Sequence, residues 1–115
     1  MSETITLKKG EFLLLEGEES QEMYLLVEGQ LSVLKGMGEQ EREVSKIFPK
    51  QLVGEISFLD GEPRSASVLA QSDCKLIVIR RAHFNEVIDN QQDWFKKLAL
   101  TLCDRLRKAS ERAKV

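Results

Sequence analysis

The chain has 115 residues, 42% hydrophobic and 31% charged, which allows one domain with an ordinary core and is not the profile of a disordered or fibrous protein. Seventeen basic against nineteen acidic side chains leave a net charge of -2, so no general positive field draws in a nucleic-acid backbone, and no nucleic-acid partner is expected. The opening residues lack the apolar core of a signal peptide and no apolar run approaches the roughly 18 residues that cross a bilayer, so the chain is read as cytoplasmic with no membrane partner.

Short strand-like segments follow one another between turns in the first two thirds: TITLK from Thr4, EFLLLE from Glu11, MYLLVEG from Met23, QLSVLKG from Gln30, REVSKIF from Arg42, SASVLA from Ser65 and CKLIVI from Cys74. Their regular spacing predicts a β-sandwich or small barrel. Gly29 stands where a hairpin would reverse between LVE and QLSVL. KGMGEQERE, starting at Lys35, reads as an exposed polar link. The acid-rich stretches EGEES, from Glu16, and GEQERE, from Gly38, lack the Asp-x-Asp-x-Asp-Gly pattern of a calcium loop and read as solvated loops.

After Ile79 the apolar period changes. RAHFNEVID, Arg81 to Asp89, sets Phe84, Val87 and Ile88 on one side of a short helix. From Asp93, taken as the N-cap, apolar residues recur at Trp94, Leu98, Leu102 and Leu106, the pattern of a long amphipathic helix. Arg105, Arg107, Lys108, Arg112 and Lys114 gather toward its end, where positive charge suits the helix dipole. The stripe reads most simply as packing within the chain beneath a solvated basic face; it could also close over the β part or meet another subunit. Cys74 and Cys103 are far apart with no CxxC spacing and read as reduced packing thiols. His83 is the only histidine, with no triad partner at a recognisable spacing, so neither a metal site nor a catalytic constellation emerges and no enzyme is expected.

One stretch carries chemistry. GEISFLDGEPRSASV, Gly54 to Val68, puts a single Arg among small side chains with a Glu at the front. Arg is rarely buried without a partner. Its rigid fork of donors matches two phosphate oxygens, while an ionised Glu, acceptor only, suits a hydroxyl. ISFL is long enough for one helical turn and DGEP supplies the residues that bring the chain back.

This stretch resembles the phosphate-binding cassette of cyclic nucleotide-binding domains, the modules of catabolite activator protein, regulatory subunits of cyclic-AMP-dependent kinase and cyclic-nucleotide-gated channels. The resemblance extends to VEGQLSV and to the helix pair after Ile79, and so over nearly the whole chain. It implies a mainly β fold: a β-roll of jelly-roll type at about 4–80 with a short cassette helix, then two C-terminal lid helices at about 81–113, forming a single domain over 1–115. It further implies that Glu55 accepts the ribose 2'-hydroxyl and Arg64 pairs with the cyclic phosphate, with Gly54, Ile56, Ser57, Ser65 and Ala66 shaping the pocket. By a looser match, Val44 and Ser45 would line the base pocket, and Arg105, Ala109 and Ser110 would belong to the lid.

Many relatives have Phe where this chain has Val53, and Ala where it has Ser57; neither change touches the charged contacts. The chain begins almost at the first strand, so the helical segment that often precedes the roll is expected to be missing or very short. Thr directly after the Arg accompanies cyclic GMP in the family, whereas Arg64-Ser65 resembles the catabolite activator pattern. The expected ligand is therefore cyclic AMP in preference to cyclic GMP, with no cofactor or metal. A stand-alone module of this kind would signal by moving its C-terminal helices toward an unknown protein partner or a second copy of the chain. The alternative is a nucleotide-free scaffold whose Arg64 is neutralised by Glu62 or Asp60.

Overall fold

In the segment Cys74 to Arg80, Cys74, Leu76 and Val78 are buried while Lys75 is exposed and Ile77 and Ile79 are partly so, the period-two alternation of a strand with one face on a core. The computed structural model describes residues 3–113; the side chains of Asp60, Cys103, Arg107 and residues 110–113 fall outside that description. The described residues form β1 (Glu3–Leu7), β2 (Phe12–Leu14), β3 (Glu22–Glu28), β4 (Leu31–Lys35), a single 3-10 turn (Gly38–Gln40), β5 (Arg42–Ile47) and β6 (Leu52–Val53). There follow α1 (Glu55–Asp60), β7 (Ser67–Ala70), β8 (Cys74–Arg80), α2 (Arg81–Asp89) and α3 (Asp93–Ala113). The strands make two four-stranded antiparallel sheets, β1-β8-β3-β6 and β2-β7-β4-β5. This is the mainly β roll with C-terminal helices that the sequence implies.

Leu26, Leu31, Val53 and Leu76 are fully buried and join Leu14, Tyr24, Val68 and Val78 in one core between the sheets. Each such aliphatic side chain contributes about 1.5–3 kcal/mol by leaving water. β5 lies at an edge, and its run of Arg42, Glu43 and Lys46 exposes charge that discourages further strand pairing.

The expected hairpin at Gly29 is not one. β3 pairs with β8 and β6, whereas β4 pairs with β5 and β7, so the reversal carries the chain from one sheet to the other. Close packing dictates the corner: Gly29 has φ 99°, and a Cβ there would lie 2.5 Å from the Asp73 carbonyl oxygen and 2.6 Å from Cys74 Sγ. The start of β8 blocks a side chain at this point, and Gln30 bonds instead to the 71–72 turn, its N–H donating to Ser72 Oγ (3.1 Å) and its carbonyl accepting from Gln71 (2.9 Å).

The start of the long helix also differs by one residue. The Lys96 N–H donates to the Gln92 carbonyl (3.0 Å), so Gln92 is the capping position and Asp93 is the first helical residue, where its charge still favours the positive end of the dipole. Packing of the stripe within the chain is also corrected. Trp94 is 64% exposed, and Leu98, Leu102 and Leu106 are exposed as well. α3 touches the body through α1, leaving this apolar face uncovered.

Phe58 anchors α1. It is fully buried, its ring meets Phe84 of α2 edge-on at 5.3 Å, and the Arg81 guanidinium stands 4.4 Å from its centroid. Arg81 Nη2 also donates to the Phe58 carbonyl (2.6 Å). The cation-π contact adds about 1 kcal/mol to the burial of the ring.

Tyr24, the only tyrosine, donates its hydroxyl to Glu22 Oε1 (3.1 Å), and the same carboxylate lies 3.5 Å from Arg80. Burial, reinforced by the Glu22 charge, pushes the Tyr24 phenol up to about 12. A folded-state pKa raised above the unfolded value near 10 means that this group's contribution to stability is complete below pH 10 and is lost as pH climbs through 12. Absorbance titration of the native protein should therefore show a phenolate midpoint well above 10; a midpoint at 10 in the folded chain would contradict the burial seen here.

Candidate functional site

Gly54 has φ 73° and stands immediately before α1. That left-handed conformation favours glycine, and it turns the carbonyl to a double task. Gly54 O accepts the Phe58 N–H (3.2 Å), closing the first turn of α1, and also accepts Arg64 Nη1 (3.0 Å). A Cβ on Gly54 would sit 2.5 Å from Arg64 Nη1 and 3.2 Å from Leu14 Cδ1, so the missing side chain is the space the guanidinium occupies.

Arg64 is only 4% exposed. Its Nη1 donates to Gly54 O and to Ser57 Oγ (2.9 Å), and its Nη2 donates to the Glu22 carbonyl (2.6 Å); the expectation that Ser57 leaves the charged contacts untouched is thereby corrected, since its hydroxyl holds the guanidinium. The main chain is fixed as well: Arg64 N–H donates to Glu18 O (2.7 Å) and Arg64 O accepts from Gly17 (2.8 Å). Among the described residues no carboxylate forms an ion pair with Arg64; the side chain of Asp60, one of the two acids considered for that role, lies outside the description. Burial pulls the Arg64 guanidinium below its ordinary pKa, opposed by the charges of Tyr24, Glu22 and Glu18. A guanidinium has five N–H donors, three of which are engaged by these acceptors. Among the described residues, Nε–H and the second Nη2–H meet no acceptor.

Arg64 lines a cavity of about 620 Å³, within the range typical of small-molecule sites. Gly54, Glu55, Ile56, Ser57, Ser65 and Ala66 line the same cavity. Glu55, at the first position of α1, is half-buried and is the only carboxylate in the lining among the described residues. Leu14, Val33, Ile47 and Val68 give the lining its apolar part. The site thus combines an enclosed cation, one acceptor and an apolar wall, which suits a ligand carrying an anion, a hydroxyl and a flat hydrophobic body.

The looser assignments divide. Ser45 reaches the cavity, but Val44 does not line it: neighbours on β5 face opposite ways, and Val44 is 45% exposed on the other side. Arg105 and Ala109 are exposed on α3 and outside the lining, while the side chain of Ser110 lies outside the described residues. Lys50 and Gln51 line the cavity without having been singled out. Their one sequence signal is the Pro49-Lys50 pair, a turn signature just ahead of Gly54. The Glu22 carbonyl could not have been found, because a main-chain acceptor carries no residue signature.

Comparison with known proteins defines the class. The family model described as "Cyclic nucleotide-binding domain" matches residues 4–91, and the chain belongs to that family. Among individual proteins, it is 32% identical over 102 residues to the cyclic AMP receptor protein of Thermus thermophilus, covering 88% of this chain and 47% of that one. The chain therefore spans about half the length of that curated relative. A cyclic nucleotide-binding domain from Methylobacillus flagellatus superposes with a TM-score of 0.77 at 25% identity, covering 97% of this chain and 63% of that one. The EAL enzyme Bd1971, in its half-site-occupied form, superposes with a TM-score of 0.84 at 21% identity, covering 96% of this chain and 99% of that chain, a likeness of fold.

Gly54 and Gly61 both have φ 73°, but a Cβ on Gly61 would meet nothing within 4 Å. Gly61→Ala should cost only the backbone strain, about 1–2 kcal/mol. Gly54→Ala should cost more and should also displace Arg64. Thermal unfolding of the two variants measures the difference; equal losses would show that the guanidinium does not need that space.

Proposed function

We propose that this chain is a cyclic nucleotide sensor that binds its ligand in the cavity between α1 and the β5–β6 wall, taking cyclic AMP in preference to cyclic GMP. The observation that carries the reading is Arg64: an almost fully buried cation held by neutral acceptors, with two donors that meet no acceptor among the described residues, in a cavity that Glu55 also lines. The cyclic phosphate would pair with Nε and Nη2 of Arg64, Glu55 would accept the ribose 2'-hydroxyl, and Gly54, Ile56, Ser57, Ser65 and Ala66 would enclose the sugar phosphate. The base would lie against Val33, Ser45 and Ile47. Charge-assisted hydrogen bonds contribute roughly 1.5–3 kcal/mol each, so these two groups supply about half of a micromolar affinity, near 8 kcal/mol, and apolar enclosure of the base the rest.

Output would pass through the C-terminal helices. α1 carries Glu55 and touches both α2, through Phe58, and α3, so a ligand drawn against α1 favours one placement of those helices over another. The bare apolar stripe from Trp94 to Leu106 is the surface offered to a protein partner or to α3 of a second copy, and Arg105, Ala109 and Ser110 would approach the base as a lid. Cyclic AMP- and cyclic GMP-bound forms of the EAL enzyme Bd1971 share the fold, with TM-scores of 0.75.

Isothermal titration should give saturable cyclic AMP binding, with Arg64→Ala losing it and Arg64→Lys weakening it at least about tenfold, because a point ammonium cannot reproduce the fork. No heat and no gain in melting temperature with either nucleotide would overturn the reading and leave the nucleotide-free scaffold. Hydrogen exchange in α3 should change at saturating ligand; unchanged exchange there would remove the lid mechanism.

A further inference from the structure

Lys50 is the one non-glycine residue with positive φ among the described residues, at 77°. It holds the third position of the turn Phe48–Gln51, closed by the Gln51 N–H donating to Phe48 O (3.2 Å), a position that favours Gly or Asn. The turn cannot relax around it. Pro49 fixes the preceding φ, the Lys50 N–H donates to Leu26 O (2.7 Å), and Gln51 Oε1 accepts the Phe48 N–H (2.9 Å). Strain of this kind, beside a cavity, points to a side chain with a role there.

Lys50 lines the same cavity as Arg64. Lys50 stands on the turn after β5, whose Ser45 and Ile47 line that cavity, and the two-residue strand β6 separates it from Gly54, a span of at most roughly 13 Å at about 3.3 Å per residue. With the phosphate on Arg64, that is the end of the cavity where the base lies. Besides Ser45, whose hydroxyl both donates and accepts, the polar side chains there favour donation. An ammonium has donors and no acceptor; the Gln51 amide, its oxygen turned to Phe48 N–H, offers its NH2. Guanine presents O6 and N7, both acceptors, along one edge. Adenine places an N6 amine there, which needs an acceptor.

We propose that Lys50, seconded by Gln51, reads the acceptor edge of a guanine, so that the domain also takes cyclic GMP and its preference for cyclic AMP is narrow. This rests on the cyclic nucleotide reading above and names the residue that sets base tolerance within it.

Lys50→Gly and Lys50→Asn both suit a positive φ, so each should fold and melt at or above the wild-type temperature without ligand. Isothermal titration of the full chain with cyclic AMP and with cyclic GMP tests the role. Both variants should weaken cyclic GMP about tenfold and leave cyclic AMP within about twofold. Equal weakening of the two nucleotides would mean that the charge acts on their shared phosphate, and no change in either would mean that Lys50 does not meet the base; each overturns the proposal. A wild-type chain that binds neither nucleotide overturns the underlying reading, and this one falls with it.

Discussion

A guanidinium taken out of water must be given acceptors, and the rest of this site follows from how Arg64 receives them. Two of its partners are main-chain carbonyls, of Gly54 and Glu22, and the third is the Ser57 hydroxyl. Dipoles of this kind hold the cation without cancelling its charge, whereas a buried carboxylate would have done both. Among the described residues no acid pairs with Arg64, and two of its five donors meet no acceptor.

That arrangement constrains three separate stretches of chain. Gly54 must be without a Cβ and must turn its carbonyl inward; Ser57 must sit one helical turn later; and β3, paired with β6 in the same sheet, must present the Glu22 carbonyl. Arg64's own main chain is tied to Gly17 and Glu18, beyond β2. The cassette is local in sequence, but the cation it carries is also held by β3 and its main chain by the loop between β2 and β3, so the roll has to be assembled before the site exists.

Legibility in the sequence followed the same division. Gly54, Glu55, Arg64, Ser65 and Ala66 could be named beforehand because their stretch resembles the family's phosphate-binding cassette, and the cavity gathers all of them. The alternation in CKLIVI and the period in DWFKKLALTL located β8 and α3 because each repeats long enough to register. β6 escaped notice because two residues cannot show a period. The corner at Gly29 was taken for a hairpin because its glycine tells of a reversal but not of which strand pairs afterwards. Lys50 was passed over because its importance lies in a φ value, which Pro49 beside it only hints at.

The grip of α2 on Phe58 draws a boundary through the molecule. Arg81 and Phe84 hold the cassette helix from behind, so α2 is mechanically part of the pocket although it contributes no lining. The family match ends at residue 91, just past that helix and before α3 begins. The family match thus takes in the roll together with α2 and stops short of α3, which meets the rest of the molecule at α1.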